Sequence, residues 1–99
     1  MSNVIMICSF KLAKSASVTD FLLAAEKVNG ELMSKQKGFI SWKQLVDGDE
    51  WVDLLTWETT EDAMNAAKAS EQNPIAHEFF AFLDMETVTM RIYTIKKSY

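Results

Sequence analysis

GFISWKQLVDGDEWVDLLTWE, residues 38–58, reads as two strands joined at Asp47-Gly48-Asp49-Glu50. Asp-Gly supplies the positive-φ backbone that a tight hairpin turn needs, and strand-forming residues flank it on both sides. A loop of two residues or of four gives the same facial arrangement. One face carries Ile40, Trp42, Gln44 and Val46 with Trp51, Asp53, Leu55 and Trp57; the other carries Phe39, Ser41, Lys43 and Leu45 with Val52, Leu54 and Thr56. An antiparallel sheet that is wet on one side alternates cleanly between apolar and polar residues. Neither face here is polar enough to be that wet side, so the hairpin needs a cover on both.

The flanking segments supply one of the covers. Val4 to Leu12 alternates as a first strand, with Val4, Met6, Cys8, Phe10 and Leu12 on one side and Ile5, Ile7, Ser9 and Lys11 on the other. Ser17 followed by Asp20 has the spacing of a helix N-terminus. From there Val18, Phe21, Leu22, Ala25, Val28, Leu32 and Met33 recur at helical spacing. They predict an amphipathic helix of about twenty residues, stopped at Gly38. After the hairpin, Thr59-Thr60-Glu61-Asp62 opens a second helix, in which Ala63, Ala66, Ala67 and Ala69 permit close packing. Asn73-Pro74 interrupts that helix and starts a short apolar one containing Ile75, Phe79, Phe80, Phe82 and Leu83. Thr87 to Ile95 alternates as the fourth strand.

The order strand, helix, strand, strand, helix, strand is the α+β, ferredoxin-like βαββαβ pattern, a four-stranded antiparallel sheet with its helices on one face. The other face is then bare and too apolar for water, which marks an interface. A second copy, sheet against sheet about a two-fold axis, is the simplest cover. The tryptophan-bearing face (Trp42, Trp51, Trp57) is expected to meet that partner, with Phe39, Leu45, Val52 and Leu54 beneath the helices.

Composition limits the alternatives. Ninety-nine residues suit a single domain, residues 1–99. A chain this short buries little more than ~60% of its unfolded surface and gains from association. Ten basic against 14 acidic residues leave a net charge of −4, with no basic stripe for nucleic acid. The opening MSNVIMICSF lacks a charged start and is too short and alternating for a signal peptide or membrane span, which predicts a cytoplasmic protein with no membrane partner. One cysteine and one histidine exclude an internal disulfide and the usual structural zinc spacings, so no metal is expected. Cys8, mid-strand, is expected to be a small buried hydrophobe.

The blocks GFISWKQL, WVDLLTWETTEDAMNAA and FAFLDMETVTMR resemble small bacterial proteins of the dimeric α+β barrel superfamily, grouped with antibiotic-biosynthesis-monooxygenase-like domains. The resemblance runs from Val4 to about Ile95. It implies a dimeric barrel and, for activity, a superfamily that includes cofactor-free oxygenases and haem-degrading enzymes. Relatives of this type often carry histidines where this chain has Thr56 and Ile92. His77 stands at a place similar to the haem-iron ligand of the haem-degrading members, but Ala66-Ala67 and Ser9-Phe10 replace the tryptophan and asparagine that accompany it, and no cofactor is expected.

Oxygenation without a cofactor needs an apolar cavity, a polar group to steady a phenolate, and little water. Such a cavity would sit between sheet and helices, with Phe39, Ser41, Thr56, Met64, Phe80 and His77 as candidate pocket residues; the alternative is that these side chains fill the core. No catalytic residue is singled out. Asp53 and Arg91 are expected to pair across strands. Three functions follow: a monooxygenase-like enzyme on a small aromatic or quinol-like molecule, a non-catalytic small-ligand-binding dimer, or a structural domain with a filled core.

Overall fold

A computed structural model describes residues 3–99. The strands are β1 (Val4–Leu12), β2 (Phe39–Asp47), β3 (Glu50–Trp57) and β4 (Leu83–Thr94); the helices are α1 (Val18–Glu31), α2 (Thr60–Glu71) and α3 (Pro74–Phe80). All four strands form one antiparallel sheet in the order β2-β3-β1-β4. This is the expected ferredoxin-like α+β arrangement, with the second helix divided in two at Asn73-Pro74. Among the described residues, no helix is long and apolar enough to cross a membrane.

Local chemistry sets each boundary. The β2–β3 turn closes at the Asp47–Glu50 pair, with Gly48 at a φ of 62°. Ser17 caps α1 by accepting from the Asp20 N–H, and Thr59 caps α2 by accepting from the Asp62 N–H. Asn73 accepts from the N–H groups of Ile75 and Ala76 at the start of α3, where Pro74 has no N–H to satisfy. Gly38 has a φ of 80°, and any side chain there would collide with Asp62 of α2. Glycine is required on both counts.

Two boundaries differ from expectation. The first helix ends at Glu31, and Met33–Lys35 continues as a single 3-10 turn. Leu32, at φ −129°, breaks the α geometry six residues before the glycine expected to do so. The α3 helix stops at Phe80, and β4 begins already at Leu83, paired with Leu12.

The larger difference is which side of the sheet the helices cover. Val4, Met6 and Phe10 pair with Trp57, Leu55 and Trp51, and Val4, Met6, Phe10, Leu55 and Trp57 are all core residues. The tryptophan face therefore lies under the helices, and the sequence-based assignment of faces is reversed. Two devices make this possible. Gln44 and Asp53 hydrogen-bond each other across the strands at 3.2 Å, so the two polar side chains enter the interior as a pair. Ala63 and Ala66, almost fully buried, leave room beneath α2 for indole rings. Phe39 joins the same side because the pairing register shifts between Phe39 and Ser41, and its ring meets Trp57 at 5.5 Å.

An aromatic cluster ties the layers together. Phe21 of α1 lies 5.9 Å from Phe10, 5.3 Å from Phe79 and 5.1 Å from Trp51, centroid to centroid. Such pairs add about 0.5–1.5 kcal/mol each beyond their burial.

The far side of the sheet carries Ile5, Ile7, Val52 and Leu54 on its central strands, all half-buried, flanked by exposed Leu45 and Tyr93. Arg91 also lies on this side, opposite Ile7, and so cannot pair with Asp53 as expected.

Candidate functional site

The helices do not fill the space over the sheet. Between them and the strands lies a cavity of about 300 Å³. Its floor is Met6, Cys8, Asp53 and Leu55, with the indoles of Trp42 and Trp57 beside them. Ala66, Ala67 and Ser70 of α2, with Phe79 and Phe80 of α3, form the roof. Met85 and Met90 of β4, both more than half exposed, and Glu71 at the end of α2 stand at its rim.

Strand alternation puts Asp53 here. It is two residues from Leu55 and Trp51, and so shares their inward face. Its side chain is 5% exposed. Burial pushes the carboxyl up from 3.8 to about 6, against the opposing effect of the Gln44 amide, which donates to Oδ1, and of the nearby Trp42 indole. The Trp42 N–H makes no hydrogen bond of ordinary geometry, and neither does that of Trp57, although both are buried. A carboxyl that titrates near 6 is charged in most molecules at neutral pH and still a serviceable base.

Cys8 faces Asp53 directly across the β1–β3 ladder. Burial, reinforced by the Asp53 charge, pushes its thiol up to about 12. It is a neutral, weakly polar part of the wall and not a nucleophile. The Ser70 hydroxyl donates to the Ala66 carbonyl at 3.0 Å and so presents little free polarity.

The residues singled out from sequence are scattered. Phe80 lines the cavity. Phe39 is on the correct side of the sheet but packs against Trp57 outside the cavity wall. Ser41 and Thr56 pair with each other on the opposite face, a consequence of the reversed faces. Met64 is half exposed on the outside of α2. His77 is exposed: its Nε2 lies 2.6 Å from the Glu71 carbonyl oxygen, and its ring is 6.3 Å from that of Phe80. Among the described residues no three His, Cys, Asp or Glu side chains gather as a metal centre would require. Asp53, the ionisable group at the heart of the cavity, escaped the sequence-based choice. Its signal was present, an acid alternating with Trp51, Leu55 and Trp57 on a strand, but it was assigned to a dimer interface.

No protein-family model matches the chain, and no curated protein does either. Solved structures match over nearly its whole length. SnoaB from Streptomyces nogalater, described as a cofactor-independent oxygenase, superposes with a TM-score of 0.80 at 15% identity, covering 99% of this chain and 97% of its own. A candidate antibiotic biosynthesis monooxygenase from Bacillus cereus gives 0.65 at 22% identity, over 100% and 96%. Rv0793 from Mycobacterium tuberculosis gives 0.70 at 14%, over 98% of each. The fold is that of the antibiotic-biosynthesis-monooxygenase-like proteins.

Proposed function

We propose that this protein is a cofactor-independent, monooxygenase-like enzyme that works as a homodimer on a small aromatic or quinol-like molecule bound in the cavity over the sheet. Asp53 carries the reading. A carboxylate 5% exposed, set in the wall of an otherwise apolar cavity and joined by one side-chain amide, is costly to the fold and suited to accepting a proton. The neighbouring fold of SnoaB, described as a cofactor-independent oxygenase, supports the reaction class.

In this reading the substrate lies against Phe79, Phe80 and the two indoles with a phenolic hydroxyl toward Asp53. Asp53 takes the hydroxyl proton. The resulting electron-rich anion passes one electron to dioxygen, and the radical pair combines at a ring carbon that bears hydrogen. Asp53 returns its proton to the peroxide, and loss of water leaves a carbonyl. One oxygen atom enters the product and one leaves as water with the ring hydrogen and the phenolic hydrogen, so the four-electron oxidation of the phenol to a quinone balances the reduction of dioxygen. The apolar walls keep water from the intermediate.

The bare sheet face supports the dimer. Ile5, Ile7, Val52 and Leu54 form a continuous apolar strip that a second copy would cover.

The test is dioxygen uptake with a panel of phenols, naphthols and quinols. The account predicts saturable uptake that rises with pH through about 6, and that falls by roughly 100-fold or more in Asp53→Asn. Binding without uptake across the panel would leave a non-catalytic ligand-binding dimer instead.

A further inference from the structure

We propose that the cavity is selective for charge as well as for shape: it binds hydrophobic amines in their ammonium form, paired with the Asp53 carboxylate and enclosed by aromatic faces, and rejects carboxylates of the same size. This goes beyond the oxygenase reading and does not depend on it.

Three observations converge. First, among the described residues no lysine, arginine or histidine lines the cavity, whereas two carboxylates do, Asp53 within and Glu71 at the rim. Second, Asp53 has no cation beside it among the described residues. The ion pairs there are Lys11–Asp49 and Lys27–Glu78, both on the surface. A buried carboxylate normally keeps a positive partner close. Here the neighbours are the Gln44 amide, which supplies one hydrogen bond, and the Trp42 indole, and neither carries a positive charge. Third, aromatic rings surround the carboxylate. Trp42 and Trp57 line the cavity with it, and Phe10, Phe79 and Phe80 complete the wall. Ring faces attract cations, more strongly when water is excluded. A volume of about 300 Å³ holds a one- or two-ring amine with room to turn.

An ammonium group entering this space gains a charge-assisted hydrogen bond to Asp53 and aromatic neighbours in the wall. A carboxylate entering it meets a like charge with no compensating donor except the indole N–H groups. The site therefore discriminates by sign. The ionisable groups that bear on its pH dependence are Asp53 and Cys8 from the sheet and Glu71 from α2; the thiol of Cys8 stays neutral throughout the working range.

Isothermal titration calorimetry under nitrogen tests this with three probes of matched shape: 2-(2-naphthyl)ethylamine, 2-(2-naphthyl)ethanol and 2-naphthylacetate. At pH 7.5 the amine is expected to bind at least ten times more tightly than the alcohol, with no measurable binding of the carboxylate. In Asp53→Asn the preference for the amine over the alcohol collapses to less than about threefold. Should that variant fail to fold, the native protein serves: the amine's advantage is lost at pH 4.5, where Asp53 is protonated. Equal binding of amine and alcohol, tighter binding of the carboxylate, amine preference that survives loss of the Asp53 charge, or no binding of any probe would each overturn the proposal. Because no oxygen is consumed in this experiment, its outcome is independent of whether the protein turns over phenols.

Discussion

Replacing Asp53 with asparagine should change stability in opposite directions at the two ends of the accessible pH range. The folded carboxyl titrates near 6 and the unfolded one near 3.8, so in the intervening window the folded protein holds the extra proton. Stability contributed by this group is therefore greatest below about 4 and is lost as pH rises through about 6. Two units at 1.36 kcal/mol each make the charged, buried carboxylate cost about 3 kcal/mol at pH 8 relative to pH 4. Asparagine removes that cost and keeps an oxygen to accept from Gln44, but it turns an NH₂ group with no protein partner toward the cavity, a loss of about 1 kcal/mol. The balance is a variant more stable than the native protein by about 2 kcal/mol at pH 8 and less stable by about 1 kcal/mol at pH 4. Urea unfolding at the two pH values, followed by tryptophan fluorescence, measures the difference directly. The crossing of the two stability curves is the signature. A constant difference at both pH values would mean that Asp53 is not held in the low-dielectric setting described, and the case for it as a base would fall with that.

Four further outcomes follow from the same geometry. Cys8, pushed up to about 12, should resist iodoacetamide at pH 8 for as long as the chain is folded and react promptly in denaturant, as mass spectrometry would show; rapid alkylation of the native protein would mean the thiol is not where it is placed. Leu54→Lys puts a charge in the middle of the bare sheet face and should shift sedimentation from dimer to monomer with near-native circular dichroism, whereas Trp51→Asp strikes the ring that meets Phe21 at 5.1 Å and should lower stability by about 3 kcal/mol or more. Undisturbed association of Leu54→Lys would place the interface elsewhere. Ala67→Phe, on the roof of the cavity, should abolish ligand binding measured by calorimetry at a stability cost of about 1–3 kcal/mol; unimpaired binding would show that the cavity is not the site.

The order of strands and helices was legible because local signals agreed with one another. The Asp47-Gly48 turn, the capping Thr59 and the Asn73-Pro74 break each specify a boundary from a few neighbouring residues. Facial assignment was not legible, because it depends on which of two nearly apolar faces the helices prefer. Gln44 and Asp53 put two polar side chains on the tryptophan face. Their mutual hydrogen bond, between residues nine apart in the chain and adjacent only in the folded ladder, lets them enter the interior together. The register shift after Phe39 is an irregularity that simple alternation does not show, and it puts Phe39 on the same side as Trp57. The site inherited the error. With the faces exchanged, Ser41 and Thr56 leave the cavity and Asp53 enters it. His77 is the only histidine, yet its position on the exposed side of a two-turn helix places it outside the wall.

The claim that the working site is this cavity, on the tryptophan side of the sheet, is most directly tested by the three indole N–H signals in a nitrogen-proton correlation spectrum during titration with 2-naphthol. Trp42 and Trp57 line the cavity and Trp51 does not. The account predicts that the Trp42 and Trp57 signals move together and saturate at one stoichiometric equivalent, while Trp51 and the His77 amide shift far less. Saturable shifts confined to Ser41, Thr56 and their neighbours on the far face, with the Trp42 and Trp57 indoles unmoved, would contradict it.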